Sequence, residues 1–185
     1  MIVKVLMFML MFLQSVDSCR ARCRNRTQCE PGWSYVSRET GGWCLLFLGV
    51  LEMNKASAEE ECSSFGAVPS SIDNEEMKQS FMSTLSYWNL DGMWIGASLK
   101  PSCNCGSDSC KLTAGCGSQG YIWTDNYTTS PNDLLDSVQG IETTVESGVT
   151  YVTPYDSAYL ARDGTIRAIW SSSTLYGVMC GKRAT

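Results

Sequence analysis

Ten cysteines stand in a chain of 185 residues whose first residues have the layout of a secretory leader, and this pairing constrains the protein more than any other feature. Lys4 supplies the positive start, and Val5 to Leu13 is an unbroken apolar run. That run is too short for a bilayer, which takes about 20 apolar residues. Ser15 and Ser18 offer cleavage sites, and cleavage after Ser18 is preferred, so residues 1–18 are expected to be a signal peptide. An uncleaved N-terminal anchor is the alternative. No later segment is apolar for long enough to insert into a membrane, and the terminal Lys-Arg-Ala-Thr has no lipid-anchor pattern. The mature protein is therefore expected to be secreted and extracellular. In that compartment a large, even number of cysteines means disulfides. What remains suits one domain with a modest core held by bridges.

The net charge is −5, and removing the leader leaves it unchanged because Lys4 and Asp17 cancel. An acidic surface argues against nucleic acid and anionic membranes as partners. The chain has no histidine, which removes the commonest general base, the His-paired nucleophiles and every His-containing metal site. Carboxylate chemistry alone remains open to an enzyme, so a non-enzyme is expected.

Residues 19–28 form a short arm with four arginines, read as a solvated terminus or a polyanion contact, and Asn25-Arg26-Thr27 is a glycosylation sequon on it. Trp33 to Leu51 is aromatic and β-favouring around Gly41-Gly42, which predicts two strands and a turn. A helix is expected to begin between Asn54 and Ser57. Ser57-Ala-Glu-Glu60 has the capping-box form, Ala58, Cys62 and Phe65 share one face, and Gly66 ends the helix. A second helix is expected from Asp73 or Asn74, with Met77, Phe81 and Leu85 on its buried face. Met93 to Ala97 reads as a buried strand with a close backbone approach at Gly96.

Residues 101–120 are small, polar and cysteine-dense, as in a stapled loop. Tyr121 to Asp125 returns to strand character, and residues 126–148 read as a long exposed loop carrying a second sequon, Asn126-Tyr127-Thr128. Thr150–Tyr155, Ala158–Ala161, Ile166–Trp170 and Val178–Gly181 read as short strands, with Asp163-Gly164 as a hairpin turn. The sum is a small α+β domain.

The order of six landmarks carries a resemblance. They are Cys29-Glu-Pro-Gly-Trp33, Ala58-Glu-Glu-Glu-Cys62, Gly66-Ala-Val-Pro-Ser-Ser-Ile72 with Asn74-Glu-Glu76, Trp94-Ile95-Gly96, Tyr121-Ile-Trp-Thr-Asp125 and Val178-Met-Cys180. Together they make residues 29–182 resemble a C-type lectin-like domain, with the cysteine-rich insert at 101–120 and a layout similar to secreted single-domain nematode members. The resemblance implies an α+β fold with two helices, small antiparallel sheets and a long loop region. It also implies a domain-closing Cys62–Cys180 bridge and an N-terminal Cys29–Cys44 bridge. Cys103, Cys105, Cys110 and Cys116 allow three connectivities. Cys103–Cys116 with Cys105–Cys110 nested inside is preferred over the others and over a four-cysteine zinc site. Cys19 and Cys23 pair locally or link two chains.

The resemblance further implies a calcium ion that takes sugar hydroxyls, held by Glu-Pro-Asn or Gln-Pro-Asp in the long loop and Trp-Asn-Asp in a late strand. This chain departs from both. The late motif is Trp170-Ser171-Ser172, with the tryptophan kept as a packing residue, and the loop carries Ser130-Pro131-Asn132-Asp133. Calcium is possible but its motif residues are absent, so no cofactor or metal is expected. Ser130, Pro131, Asn132, Asp133 and Asp136 form the candidate ligand loop, and Asp133, Asp136, Glu142 and Glu146 are read as a solvated acidic stretch before a calcium site. The cysteines that usually flank the late strand are missing, with Tyr159 and Leu175 near their places. The expected function is recognition of a glycan or glycoprotein surface without the usual calcium site. A calcium-independent protein binder on the same scaffold is the alternative, and a carboxylate-dependent hydrolase ranks last.

Overall fold

The computed structural model describes residues 29–106, 110–128 and 134–185. The leader, Cys19, Cys23, Asn25 and the loop residues Ser130, Pro131, Asn132 and Asp133 lie outside them.

Strands β1 (Ser34–Arg38) and β2 (Gly41–Met53) form an antiparallel pair, opened by a turn that ends at Gly41 with φ +120°. Helix α1 (Lys55–Ser64) follows directly. Its N-cap is Asn54, whose carboxamide accepts from the Ser57 amide at 2.9 Å. Ser57 is therefore inside the helix and is not the cap of a capping box. Ala58 and Cys62 are buried as the spacing predicts, but Phe65 is exposed because the helix ends one residue before it and Phe65 is the C-cap. Lys55, expected on no buried face, is 4% exposed.

After β3 (Val68–Pro69), helix α2 (Glu75–Tyr87) starts from Asn74, which accepts from the Met77 amide at 2.9 Å. Glu75 and Glu76 sit in its first turn, where the helix dipole favours them. Met77, Phe81 and Leu85 are buried. Then come β4 (Gly92–Leu99), β5 (Cys110–Lys111), β6 (Tyr121–Trp123), β7 (Thr143–Glu146), β8 (Val149–Val152), β9 (Ser157–Ala161), β10 (Ile166–Ile169) and β11 (Leu175–Arg183).

The larger sheet runs β1-β2-β11-β4-β9-β10, with β3 on β11 and β6 on β4; a second sheet runs β5-β8-β7. The larger sheet is mixed rather than antiparallel throughout, because β11 lies parallel to β4 with Val178 opposite Trp94. The long chain between those strands supplies the crossover that a parallel pair requires.

Alternation along β4 divides the core. Met93, Ile95 and Ala97 join Trp43, Leu45 and the α2 face in one cluster, while Trp94 joins Ala58, Cys62, Val178 and Cys180 in another. Each helix thus covers one face of the central strands. Gly96 is required where it stands: a Cβ there would lie 2.3 Å from the Pro69 carbonyl oxygen.

Disulfides join Cys29 to Cys44, Cys62 to Cys180, Cys103 to Cys116 and Cys105 to Cys110. The domain-closing bridge spans 118 residues and lies wholly inside the α1 cluster. Tyr159, Leu175 and Ile169 pack against that same cluster, so apolar contact occupies the region where the late bridge is missing.

The segment expected as an exposed loop at 126–148 contributes to the core. Leu135 is 1% and Val138 4% exposed within the α2 cluster. β7 and β8 form a hairpin through Ser147 and Gly148, both at positive φ (51° and 78°), the geometry of a two-residue primed turn.

Candidate functional site

Two polar constellations stand out among the described residues. The first is closed. Asp125, just after β6, is paired with Arg38 of β1 at 2.7 Å, and both side chains are fully buried. The Asp125 carboxylate also accepts from the Ser71 hydroxyl and from the Tyr127 and Thr128 amides at 3.1 and 3.0 Å, and the Thr128 hydroxyl lies 3.2 Å from it. Arg38 continues to Ser70 Oγ at 2.8 Å and the Ser71 carbonyl at 2.9 Å, and it lies 4.0 Å over the Trp43 ring. Burial pushes the Asp125 carboxyl up. The bonds from Ser71, Arg38 and the Tyr127 amide, with the charge of Arg38, outweigh it and hold the carboxyl below its ordinary value. This cluster anchors the base of the long loop.

The second is open to solvent. Trp170 follows β10 and Tyr155 precedes β9, and their rings lie 5.1 Å apart at 59°. Trp170 is 37% exposed, so it forms part of the surface rather than the packing residue that the sequence implied. Burial, then a hydrogen bond to the exposed Glu142 carboxylate and its charge, raise the Tyr155 phenol. Asp156 sits beside them. Its two oxygens accept from the Ser171 amide and the Ser171 hydroxyl, each at 2.6 Å. Tyr121 donates to the Tyr155 carbonyl at 2.7 Å, and burial first, then the Asp156 and Tyr155 charges, raise its phenol.

Lys55 adjoins this platform through Ser171. Its ammonium donates to the Ile95 carbonyl at 2.5 Å and the Ala97 carbonyl at 3.5 Å, and its own amide donates to the Ser171 carbonyl at 3.0 Å. Burial lowers its pKa to about 8, against the opposing charges of Glu59 and Asp156. The donor set at 170–172 does not fit a calcium ion. Calcium takes six to eight oxygens with several carboxylates. Here Asp156 is, among the described residues, the one carboxylate in contact with the motif, it already holds the Ser171 amide and hydroxyl, and it lies in the field of a lysine cation. Asp136, Glu142 and Glu146 are exposed, and among the described residues no three His, Cys, Asp or Glu side chains are grouped to hold a metal.

Of the candidates from sequence, Asp136 lies on an exposed turn and Asn126 is exposed at φ 59° beside Asp125. The four loop residues 130–133 are outside the described set. Lys55, Tyr155 and Asp156 are not among the sequence candidates, and Asp125 enters there only as the end of the Tyr121–Asp125 landmark. For Asp125 a signal existed: an Asp at a strand end can accept from the amide two residues on, here Tyr127, which is the Asx-turn pattern. For Lys55 none did.

No protein-family model matches the chain, and no curated protein matches it in sequence. Solved structures do match. The cow C-type carbohydrate-recognition domain of CD23, solved in the presence of a GlcNAc2Man3 oligosaccharide, aligns at TM-score 0.56 and 18% identity, over 85% of this chain and 98% of that one. A calcium-independent type II antifreeze protein aligns at 0.54 and 17%, over 85% and 96%. The C-type lectin domain of murine dendritic cell inhibitory receptor 2, in complex with an N-glycan, aligns at 0.53 and 17%, over 84% and 99%. At these identities the likeness is one of fold, and none of the three bears on the nematode resemblance. The chain has the C-type lectin-like fold, an α+β architecture with two helices and mixed sheets.

Proposed function

We propose that this protein, a domain with the C-type lectin-like fold, is a secreted, non-enzymatic binding module. It recognises glycans or glycoprotein surfaces through the Tyr155–Trp170 platform and without a calcium ion. The observation that carries this reading is the platform itself: two tilted rings 5.1 Å apart, one of them exposed, with Glu142 and Asp156 beside them. Sugar rings present an apolar C–H face and a rim of hydroxyls. The first lies on an aromatic face and the second donates to carboxylates, so a ligand is oriented by a few polar groups around an apolar floor. Proteins on this fold include one solved with an oligosaccharide and one described as calcium-independent, which supports both halves of the reading.

A second reading, a calcium-independent protein binder on the same scaffold, is supported by a different surface. Leu51 is 73% exposed and Tyr87 82%, while Trp88, 51% exposed, has its ring centroid 6.3 Å from that of Phe47 in a tilted contact. A glycan array probed with the mature protein in chelator separates them. Binding that survives chelation and is lost in Trp170→Ala supports glycan recognition at the platform. Binding abolished by chelation contradicts it, and silence across diverse glycans turns the account to the protein partner.

A further inference from the structure

The sequon Asn126-Tyr127-Thr128 falls on the turn that closes β6, and its three residues meet different fates. Asn126 is exposed, in the left-handed region at φ 59°. Tyr127 is packed: its ring lies 5.2 Å from Trp43, with the Arg183 guanidinium 4.5 Å above it. Thr128 is consumed. Its hydroxyl accepts from Arg38 Nη1 at 3.3 Å and donates to Ser71 Oγ, whose own proton goes to Asp125 Oδ2; that carboxylate oxygen also lies 3.2 Å from the Thr128 hydroxyl. A hydroxyl has one proton, and here it is held inside the cluster while Arg38 takes a lone pair, so the Thr128 hydroxyl is committed. The backbone is committed too, because Asp125 takes the amides of Tyr127 and Thr128.

The sequon is an acceptor because the transferase reads the asparagine amide together with the hydroxyl two residues later. In the transfer, Asn126 Nδ2 forms a bond to C1 of the sugar. The C1–O bond to the diphosphate of a lipid-linked oligosaccharide breaks, the lipid diphosphate leaves and the amide proton passes to solvent. The folded domain offers the amide and withholds the hydroxyl. The withholding groups come from far away in the chain: Arg38 is 87 residues from Asp125, and Ser71 is 57 residues from Thr128. They assemble only when β1, the 70–71 segment and the β6 turn are in place.

We infer that Asn126 is a glycosylation acceptor only before the domain folds. Closure of the Arg38–Asp125 cluster removes the Thr128 hydroxyl and ends the acceptor's lifetime. A glycan attached earlier stays on the surface, since Asn126 itself points to solvent. Occupancy at Asn126 is then set by a race between transfer and folding. The inference presupposes passage through the secretory route, but its test in solution does not.

The test uses the mature chain with Asn25→Gln, so that one sequon remains. It is offered to a purified oligosaccharyltransferase with lipid-linked oligosaccharide in three forms: disulfide-intact and folded, reduced and alkylated, and as a peptide spanning 121–132. Mass spectrometry follows addition at Asn126. The peptide and the reduced chain are expected to be modified, and the folded chain about ten-fold more slowly or less, because transfer must wait for the cluster to open. A folded chain modified as fast as the peptide overturns the inference. So does a peptide that is not modified at all.

Discussion

Replacing Asp125 by alanine tests the polar cluster that fixes the loop base. Both partners of the Arg38–Asp125 pair are fully buried. Removing the carboxylate leaves the Arg38 guanidinium buried without its counter-charge, and it strands the hydroxyl of Ser71 and the amides of Tyr127 and Thr128. Breaking a buried pair from one side costs about 3–5 kcal/mol. Set against the roughly 5–15 kcal/mol of a typical domain, that is a large share of the total. The double change Arg38→Met with Asp125→Leu removes both charges and is expected to recover much of the loss, since apolar replacement of a whole pair is often near neutral. Urea denaturation of the disulfide-intact protein at pH 7 reads all the variants, and a double-mutant cycle isolates the pair. The pH dependence has a defined sign. The folded Asp125 carboxyl lies below its ordinary 3.8, so the unfolded chain takes up the proton first as pH falls. The stabilisation is complete above the unfolded value and is lost as pH drops through the folded one. Asp125→Ala is expected to flatten that acid loss. A cost under about 1 kcal/mol, the size of a surface pair, or an unchanged acid slope would refute the reasoning.

Lys55 carries the opposite signature. Its folded pKa of about 8 lies below the unfolded 10.5, so the unfolded chain binds more protons between them and stability rises with pH across that window. The shift corresponds to about 3 kcal/mol, and thermal unfolding from pH 7 to 11 should show that rise in the wild type and not in Lys55→Met. Parallel curves would show that Lys55 is not buried as described. Replacing Cys62 and Cys180 together by alanine opens a bridge spanning 118 residues. It is expected to cost about 4–5 kcal/mol in denaturant, and a loss under about 1 kcal/mol would mean that the loop closure stabilises little.

The helices and central strand were legible because their signals are local. Asn74, Glu75 and Glu76 mark the α2 start, Met77, Phe81 and Leu85 repeat at helical spacing, and Gly96 interrupts an apolar strand. What was hidden depends on residues distant in the chain. A lysine after a helix cap and an aspartate after a strand look solvated until the Ile95 carbonyl and Arg38 arrive to pair with them. Leu135 and Val138 stand among polar neighbours, with too few apolar residues to show a period, yet they fill the α2 cluster. The platform was only half visible. Trp170 drew notice through the motif it no longer completes, whereas Tyr155 and Glu142 are brought to it by tertiary structure alone.

The claim that matters most is recognition at the Tyr155–Trp170 face without calcium. Its most direct measurement is a calorimetric titration of the tightest array oligosaccharide into wild type and Trp170→Ala, each in chelator and in millimolar calcium. The account predicts equal wild-type affinity in both buffers. It also predicts an affinity for Trp170→Ala weaker by about ten-fold or more, the equivalent of about 1.4 kcal/mol from one lost ring contact. Wild-type binding that appears only with calcium, or a Trp170→Ala protein that binds as well as wild type, would contradict it.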